Sequence, residues 1–255
     1  MDKPLNRIYK RCLIFIQGFI AINLIWYIAY LLTNTPVIPD PVTVYQSFGR
    51  VFADHILVHI LYSLKRLGIG LALSLAAGIP LGILMAYSKK ANKLLYPLIY
   101  FSYPIPKTAL LPVAMLLLGM RDGSKIAIMF LVIVFQIIVS VRDSVNNIDP
   151  GMYQVIKSTG AGKAQLIWHV TLPAVLPQLL TSVRVSLGAA LSILFFVESY
   201  GTKYGMGYYI LDTWSKIDYI GMYSGIIVIS VVGFALFASI DFLSCRICKW
   251  KNTAE

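Results

Sequence analysis

An all-α membrane protein with six spanning helices is the fold class this sequence predicts, and three observations predict it. Hydrophobic residues make up 58% of the 255-residue chain and charged residues only 13%, against about 25% charged in an average soluble domain; mean hydropathy is +0.75. The apolar residues come in runs near the ~20 residues that a spanning helix needs, at 12–32, 67–88, 94–119, 124–141, 179–197 and 222–240. The basic residues flank these runs, so the net charge of +11 marks topology and not a nucleic-acid surface. No repeat, low-complexity tract or linker divides the chain, and one membrane domain accounts for 1–255.

The first run, 12–32, follows Lys3, Arg7, Lys10 and Arg11. It is too long for a signal-peptide core and lacks a small-residue cleavage site, so it reads as a retained span. Val37-Ile38-Pro39-Asp40-Pro41 is a stiff, extended entry to a helix. The second span carries Ser74, Gly78, Gly82 and Ala86 four residues apart, a face on which helix backbones can approach closely. Pro97, Pro104, Pro106 and Pro112 break 94–119, which also holds Lys107, and it reads as an interfacial helix leading into an irregular span. The run 124–141 is the fourth span.

The fifth span, 179–197, places Ser182, Ser186 and Ala190 on one face, with Arg184 near one end and Glu198 near the other. Ionisable groups in spans face protein or water, which makes Arg184, Ser186, Glu198 and Lys107 candidates for a substrate pathway. The alternative is that the charged ones reach the nearest interface along their own stems. Segment 201–221 contains Gly205-Met206-Gly207-Tyr208 and the aromatics Tyr204, Tyr209, Trp214 and Tyr219, as turns and interfacial anchors do. The run 222–240 completes the set, and both termini fall on one side. With the N-terminus inside, that side holds Lys3, Arg7, Lys10, Arg11, Lys89, Lys90, Lys93, Arg142, Lys157, Lys163, Arg246, Lys249 and Lys251. The outside holds Arg50, Arg121, Lys125, Lys203 and Lys216. Thirteen against five places both termini in the cytoplasm.

The same count puts segment 149–177 in the cytoplasm, and it is an unusual loop. Met152, Val155 and Ile156 share one face of a first short helix, beside Tyr153 and Gln154. Gly160, before Ala161, suits a left-handed cap, and Leu166, Ile167 and Val170 share a face of a second helix. Pro173, after Leu172, fits the start of the next helix, and Pro177 bends it slightly. Apolar helical faces held outside the bilayer point to a docking surface.

Gly160-Ala161, Leu172-Pro173 and Pro177 resemble the EAA loop of bacterial ABC-importer permeases. The glutamate and alanines of that motif are replaced by Gln154, Val155 and Ile156. Two further features are similar to the nitrate, sulfonate and taurine subfamily, the Pro39-Asp40-Pro41 entry and Gly205-Met206-Gly207-Tyr208. The resemblance covers nearly the whole chain. It implies a type I importer permease in a bacterial or archaeal cytoplasmic membrane, with 149–177 as the loop seated in an ATPase subunit. Gly205, Gly207 and Tyr208 would belong to an outer gate facing an extracytoplasmic solute-binding protein, and a second permease copy would complete the pore. The solute would be a small anion such as a sulfonate or nitrate, or a vitamin precursor.

Other chemistries have weak support. No G-x-x-x-x-G-K-[ST] loop is present, so ATP and magnesium would be used by a separate subunit, and this chain needs no cofactor. His55 and His59 lie one turn apart beside Asp54, but no third metal ligand accompanies them; Cys245 and Cys248 lack a second pair. His169, beside Trp168 in the loop, reads as a contact residue. An intramembrane enzyme lacks a nucleophile and base at matching depth. An ion-coupled secondary transporter would show inverted repeats and acidic residues near the bilayer midplane.

Overall fold

The computed structural model describes residues 4–53 and 56–250, with side chains described for 17–52 and 56–250. His55 and Asp54 therefore lie outside the described residues. Every regular element among the described residues is helical. The chain falls into two compact units, 1–57 with 209–228, and 58–208 with 229–255.

In the first unit, α1 (Pro4–Thr33) is followed by α2 (Pro41–Ala53). The Asp40 carboxylate accepts from Thr43 N at 3.1 Å, satisfying an N–H that the start of α2 leaves without a helical partner. Tyr45 OH donates to Asn23 Oδ1 at 2.8 Å and ties the two helices.

The second unit is built on α3 (Ile56–Tyr87), α6 (Asp122–Asn146) and α9 (Leu172–Glu198). Ile133, Ile137 and Val141 of α6 and Val183, Leu187, Ala190 and Leu194 of α9 share one buried cluster. The small-residue face of α3 packs on α6 as its sequence predicts. A Cβ on Gly78 would lie 2.8 Å from Ile137 Cγ2, and one on Gly82 2.7 Å from Val141 Cβ, while Ser74 Oγ reaches Phe130 O at 3.2 Å. Contacts this short leave no room for a methyl group, so close backbone approach supplies the packing in place of hydrophobic expulsion.

The proline-rich run forms α4 (Lys89–Ser102), a 3₁₀ turn (Lys107–Leu110) and α5 (Leu111–Leu118), bent by 89° between the arms. Ser88 Oγ caps α4 through Ala91 N at 3.2 Å. The Lys107 ammonium donates to the Ser102 and Tyr103 carbonyls, groups left open where Pro104 and Pro106 cannot continue the helix. Two of its three donors are used at the bend, and its side chain is half-buried there.

Next come α7 (Pro150–Ser158), α8 (Lys163–Leu166) and a π-turn (Ile167–Thr171) running into α9, then α10 (Met206–Ser215) and α11 (Tyr219–Ile247). Among the described residues, four helices are long and apolar enough to span a membrane: Ile56–Tyr87, Asp122–Asn146, Lys163–Glu198 and Tyr219–Ile247. The bent pair would make a fifth. A sixth requires α1, of whose apolar run 12–32 the part with described side chains is Gln17–Thr33.

The second span begins eleven residues before the predicted Leu67, at Ile56. Lys65-Arg66 interrupts the apolar run, but both cations are paired within the fold, so the helix continues through them.

Candidate functional site

The loop between α6 and α9 is one candidate. Asp149 accepts from Gly151 N at 2.8 Å and caps α7, which begins at Pro150, where a missing N–H costs little. Met152 and Val155 are exposed, Val155 at 66%; Gln154 is exposed and Ile156 half-buried. Gly160 closes the turn at φ +81° with nothing near its Cβ position, a conformation that costs about 1–2 kcal/mol for residues with a side chain. Gly162 N donates to Gln165 Oε1 at 2.8 Å, which starts α8.

The predicted second helix is not a separate element, because α8 continues through the π-turn into α9. Pro173 explains the widening: it has no N–H for the carbonyl four residues back, and its ring crowds that carbonyl. Leu166 and Val170 of the predicted outward face are buried within the chain, Ala161, Ile167, Leu172, Pro173 and Pro177 are half-buried, and Trp168 is 69% exposed. The apolar groups presented outward are thus Met152, Val155 and Trp168.

A hydroxyl triad anchors the loop. Tyr87 OH, at the end of α3, lies 2.7 Å from Thr171 Oγ1; Tyr153 OH of α7 lies 3.2 Å from the same oxygen. Tyr87 and Tyr153 are 3.4 Å apart, and Thr171 is fully buried. Burial pushes the Tyr153 phenol up to about 12; the Tyr87 hydrogen bond adds to the rise and the Thr171 bond opposes it. Tyr153 is therefore neutral at any physiological pH.

At the far end of the same helices lies a buried charge cluster. Glu198, fully buried, accepts from Arg66 Nη1 at 2.7 Å, Ser63 Oγ at 2.7 Å and Gly207 N at 3.1 Å. Arg66, 1% exposed, also grips Asp122 through Nε at 2.9 Å and Nη2 at 2.8 Å, and donates to Tyr204 O at 2.7 Å. Lys65 closes on Asp122 at 2.8 Å from the exposed side. Lys125, counted on the outer side in the charge tally, is fully buried and donates to the Met120 and Gly201 carbonyls.

The Gly-x-Gly-Tyr segment is built onto this cluster. A Cβ on Gly205 would fall 2.4 Å from the Glu198 carboxyl carbon, and one on Gly207 2.3 Å from Phe195 O. Both glycines are buried, and their lack of a side chain makes room for Glu198 and the Phe195 carbonyl. Tyr208 stacks on His59 at 5.9 Å and Tyr204 on Tyr62 at 4.8 Å. Gly205 N donates to His59 Nδ1 at 3.2 Å.

Glu198 is thus enclosed by its donors, with no exposed surface of its own. Arg184 pairs with Asp241 at 3.1 Å, both about half exposed, and Ser186 is 3% exposed, inside the packing of α9. The candidate pathway residues are therefore not brought together. Arg66, Asp122, Ser63 and Lys125 were missed by sequence reasoning. The available signal was Lys65-Arg66 and Asp122 standing beside apolar runs with Glu198 at the end of a third, charges that balance if those ends meet.

The family model described as "Binding-protein-dependent transport system inner membrane component" matches residues 78–249. The formylaminopyrimidine transport permease protein ThiX of Halalkalibacterium halodurans is 28% identical over 92% of this chain and 94% of its own length. The putative aliphatic sulfonates transport permease protein SsuC of Bacillus subtilis is 29% identical over 87% and 81%. The taurine transport system permease protein TauC of Escherichia coli is 29% identical over 90% and 86%. Among solved structures, a bacterial alginate ABC transporter in complex with an alginate-pentasaccharide-bound periplasmic protein matches with TM-score 0.65 and 18% identity, over 97% of this chain and 99% of that one. An inward-facing MetNI methionine ABC transporter matches with TM-score 0.64 and 18% identity, over 75% and 95%. At these identities the structural likeness is one of fold.

Proposed function

This chain belongs to the binding-protein-dependent transport system inner membrane components, and we propose that α7 and Trp168 form the surface through which a separate ATPase drives it. The chain is a multi-pass transport subunit of an ATP-driven importer and not an enzyme. The observation that carries the docking assignment is the outward set Met152, Val155 and Trp168, the large apolar side chains exposed on a loop whose other large apolar side chains are buried or half-buried. Apolar groups held at the rim of a bilayer without a partner in their own chain suit a helix-in-groove contact. The triad at Tyr87, Tyr153 and Thr171 would then carry displacement of α7 directly to α3 and α9.

Under this reading both termini and the loop are cytoplasmic, ATP and magnesium belong to the ATPase, and a second copy of the chain completes the pore. An extracytoplasmic solute-binding protein meets the opposite end, where Tyr200, Lys203 and Tyr204 are exposed. The solute is small, and the sulfonates, taurine and formylaminopyrimidine in the relatives' names mark its range. Affinity purification of the tagged chain from native membranes tests the docking surface. An ATPase should co-purify and be released by Val155→Asp together with Trp168→Asp. Retention of the ATPase by that variant would refute the assignment.

A further inference from the structure

The α6 and α9 helices leave between them, at the loop end, a groove of about 750 Å³, within the range of small-molecule sites. Its lining includes Gln136, Ser140 and Ser144 of α6, one turn apart on one face, and Gln178 and Ser182 of α9. Ser140 and Ser182 bond to each other across its floor. Gln136 stands ten residues before the end of α6 and Ser182 ten after the start of α9, each about 15 Å along its helix. The polar lining therefore runs from the loop end to near the middle of α6. Amide side chains at that depth are costly against lipid and belong on a watered face.

Among the described residues, no cationic side chain lines the groove. At its mouth stand Asp143 and Asp149. Arg142, next in sequence, is bound to Asp143 through Nε at 2.8 Å and Nη2 at 2.6 Å, and its guanidinium lies 5.0 Å from the Tyr96 ring centre. That pair is neutral and leaves the Asp149 carboxylate to set the sign. A bare anion entering here would give up water without meeting a positive group; a neutral or zwitterionic solute exchanges water for amides and hydroxyls.

We propose that this groove is the inner half of the solute path and that it selects neutral or zwitterionic hydrogen-bonding solutes over bare anions. The proposal rests on the permease reading and narrows it. Taurine-like zwitterions and aminopyrimidines fit; nitrate does not.

The test uses the full chain in inside-out membrane vesicles, with Cys12, Cys245 and Cys248 replaced by serine. Gln136→Cys and Gln178→Cys are each treated with a cationic and an anionic methanethiosulfonate reagent, and Val231→Cys on the exposed apolar face of α11 serves as control. Each rate is divided by that of the same reagent with a small free thiol. Both groove positions should react, the control should not, and the normalised rates should favour the cation by about two- to fourfold at Gln178→Cys and by less at the deeper Gln136→Cys, as expected for one carboxylate about 10 Å from the first in a largely aqueous setting. Adding Asp149→Asn should bring the ratio towards one. Failure of Gln136→Cys to react while Gln178→Cys does would end the path short of the middle of α6 and overturn the proposal. Equal or anion-favoured rates in the parent background would overturn the selectivity. The measurement needs no ATPase, so its outcome is independent of the docking assignment.

Discussion

Glu198→Gln removes one charge from the buried cluster with almost no change of volume. The carboxylate accepts from three donors, Arg66 Nη1, Ser63 Oγ and Gly207 N, whereas an amide offers one oxygen and must turn its NH₂ towards at least one of them. Facing Arg66, it loses a charge-assisted bond of about 1.5–3 kcal/mol; facing the other two, it loses two weaker ones. Arg66 keeps Asp122, so the expected loss is about 2–3 kcal/mol, below the 3–5 of an orphaned buried charge. Arg66→Met should cost more, about 3–5 kcal/mol, because it leaves the buried carboxylate with neutral donors alone. The double variant restores local neutrality, and the two losses should fall short of additive by about 1–3 kcal/mol. Reversible denaturant titration of the purified chain in detergent, followed by tryptophan fluorescence, measures all four stabilities. Additivity within about 0.5 kcal/mol, or a Glu198→Gln variant as stable as the parent, would refute the reasoning.

Other substitutions probe the same geometry. Gly160→Val should abolish ATP-driven uptake while the protein stays in the membrane, since φ +81° is costly for a β-branched residue; Gly160→Asn should retain most uptake, and equal uptake in both would remove the role given to the turn. Gly207→Ala places a methyl 2.3 Å from Phe195 O and should lower stability by about 1–3 kcal/mol. Gly68→Ala, with nothing within 4 Å, should raise it by about 0.5–1 kcal/mol, and thermal melts of the pair decide. Tyr153 has its phenol pushed up to about 12 against about 10 when unfolded. Its contribution is therefore complete below pH 10 and is lost as pH rises towards 12. Tyr153→Phe should remove that part of the alkaline loss of stability, and an unchanged alkaline profile would contradict it.

The helices were legible because apolar runs of spanning length have one outcome in lipid, and the α3 face on α6 was legible because small residues one turn apart have one use there. The turn at Gly160 followed from glycine placement. The outward face of the loop did not. Periodicity groups Leu166 with Val170 and Met152 with Val155 equally well, and only tertiary packing shows that the first pair is covered and the second open. The charge cluster was illegible for a different reason. Lys65, Arg66, Asp122 and Glu198 lie far apart in sequence, and each by itself reads as a residue at a span end. Their meaning is set by the start of α6 and the end of α9 meeting the first third of α3, which no local pattern encodes.

That convergence makes the two ends of the core unequal. At one end α3, α6 and α9 are joined by buried ionic bonds through Arg66, Asp122 and Glu198. At the other, Ser140 of α6 bonds to Ser182 of α9, and Tyr87 of α3 bonds to Thr171 of the π-turn that leads into α9, neutral hydroxyl bonds. Charge-assisted bonds are about twice as strong as neutral ones, and the loop end is also opened by the polar groove. Separation of the three helices should therefore cost least at the loop end, where a docked partner would push. Amide hydrogen exchange tests this in the resting protein. Amides near 63–66 and 195–198 should exchange more slowly than those near 84–87 and 171–174, by the difference in local opening free energy. Equal protection at both ends would show that helix packing alone sets the opening and that the buried charges do not decide where the core yields.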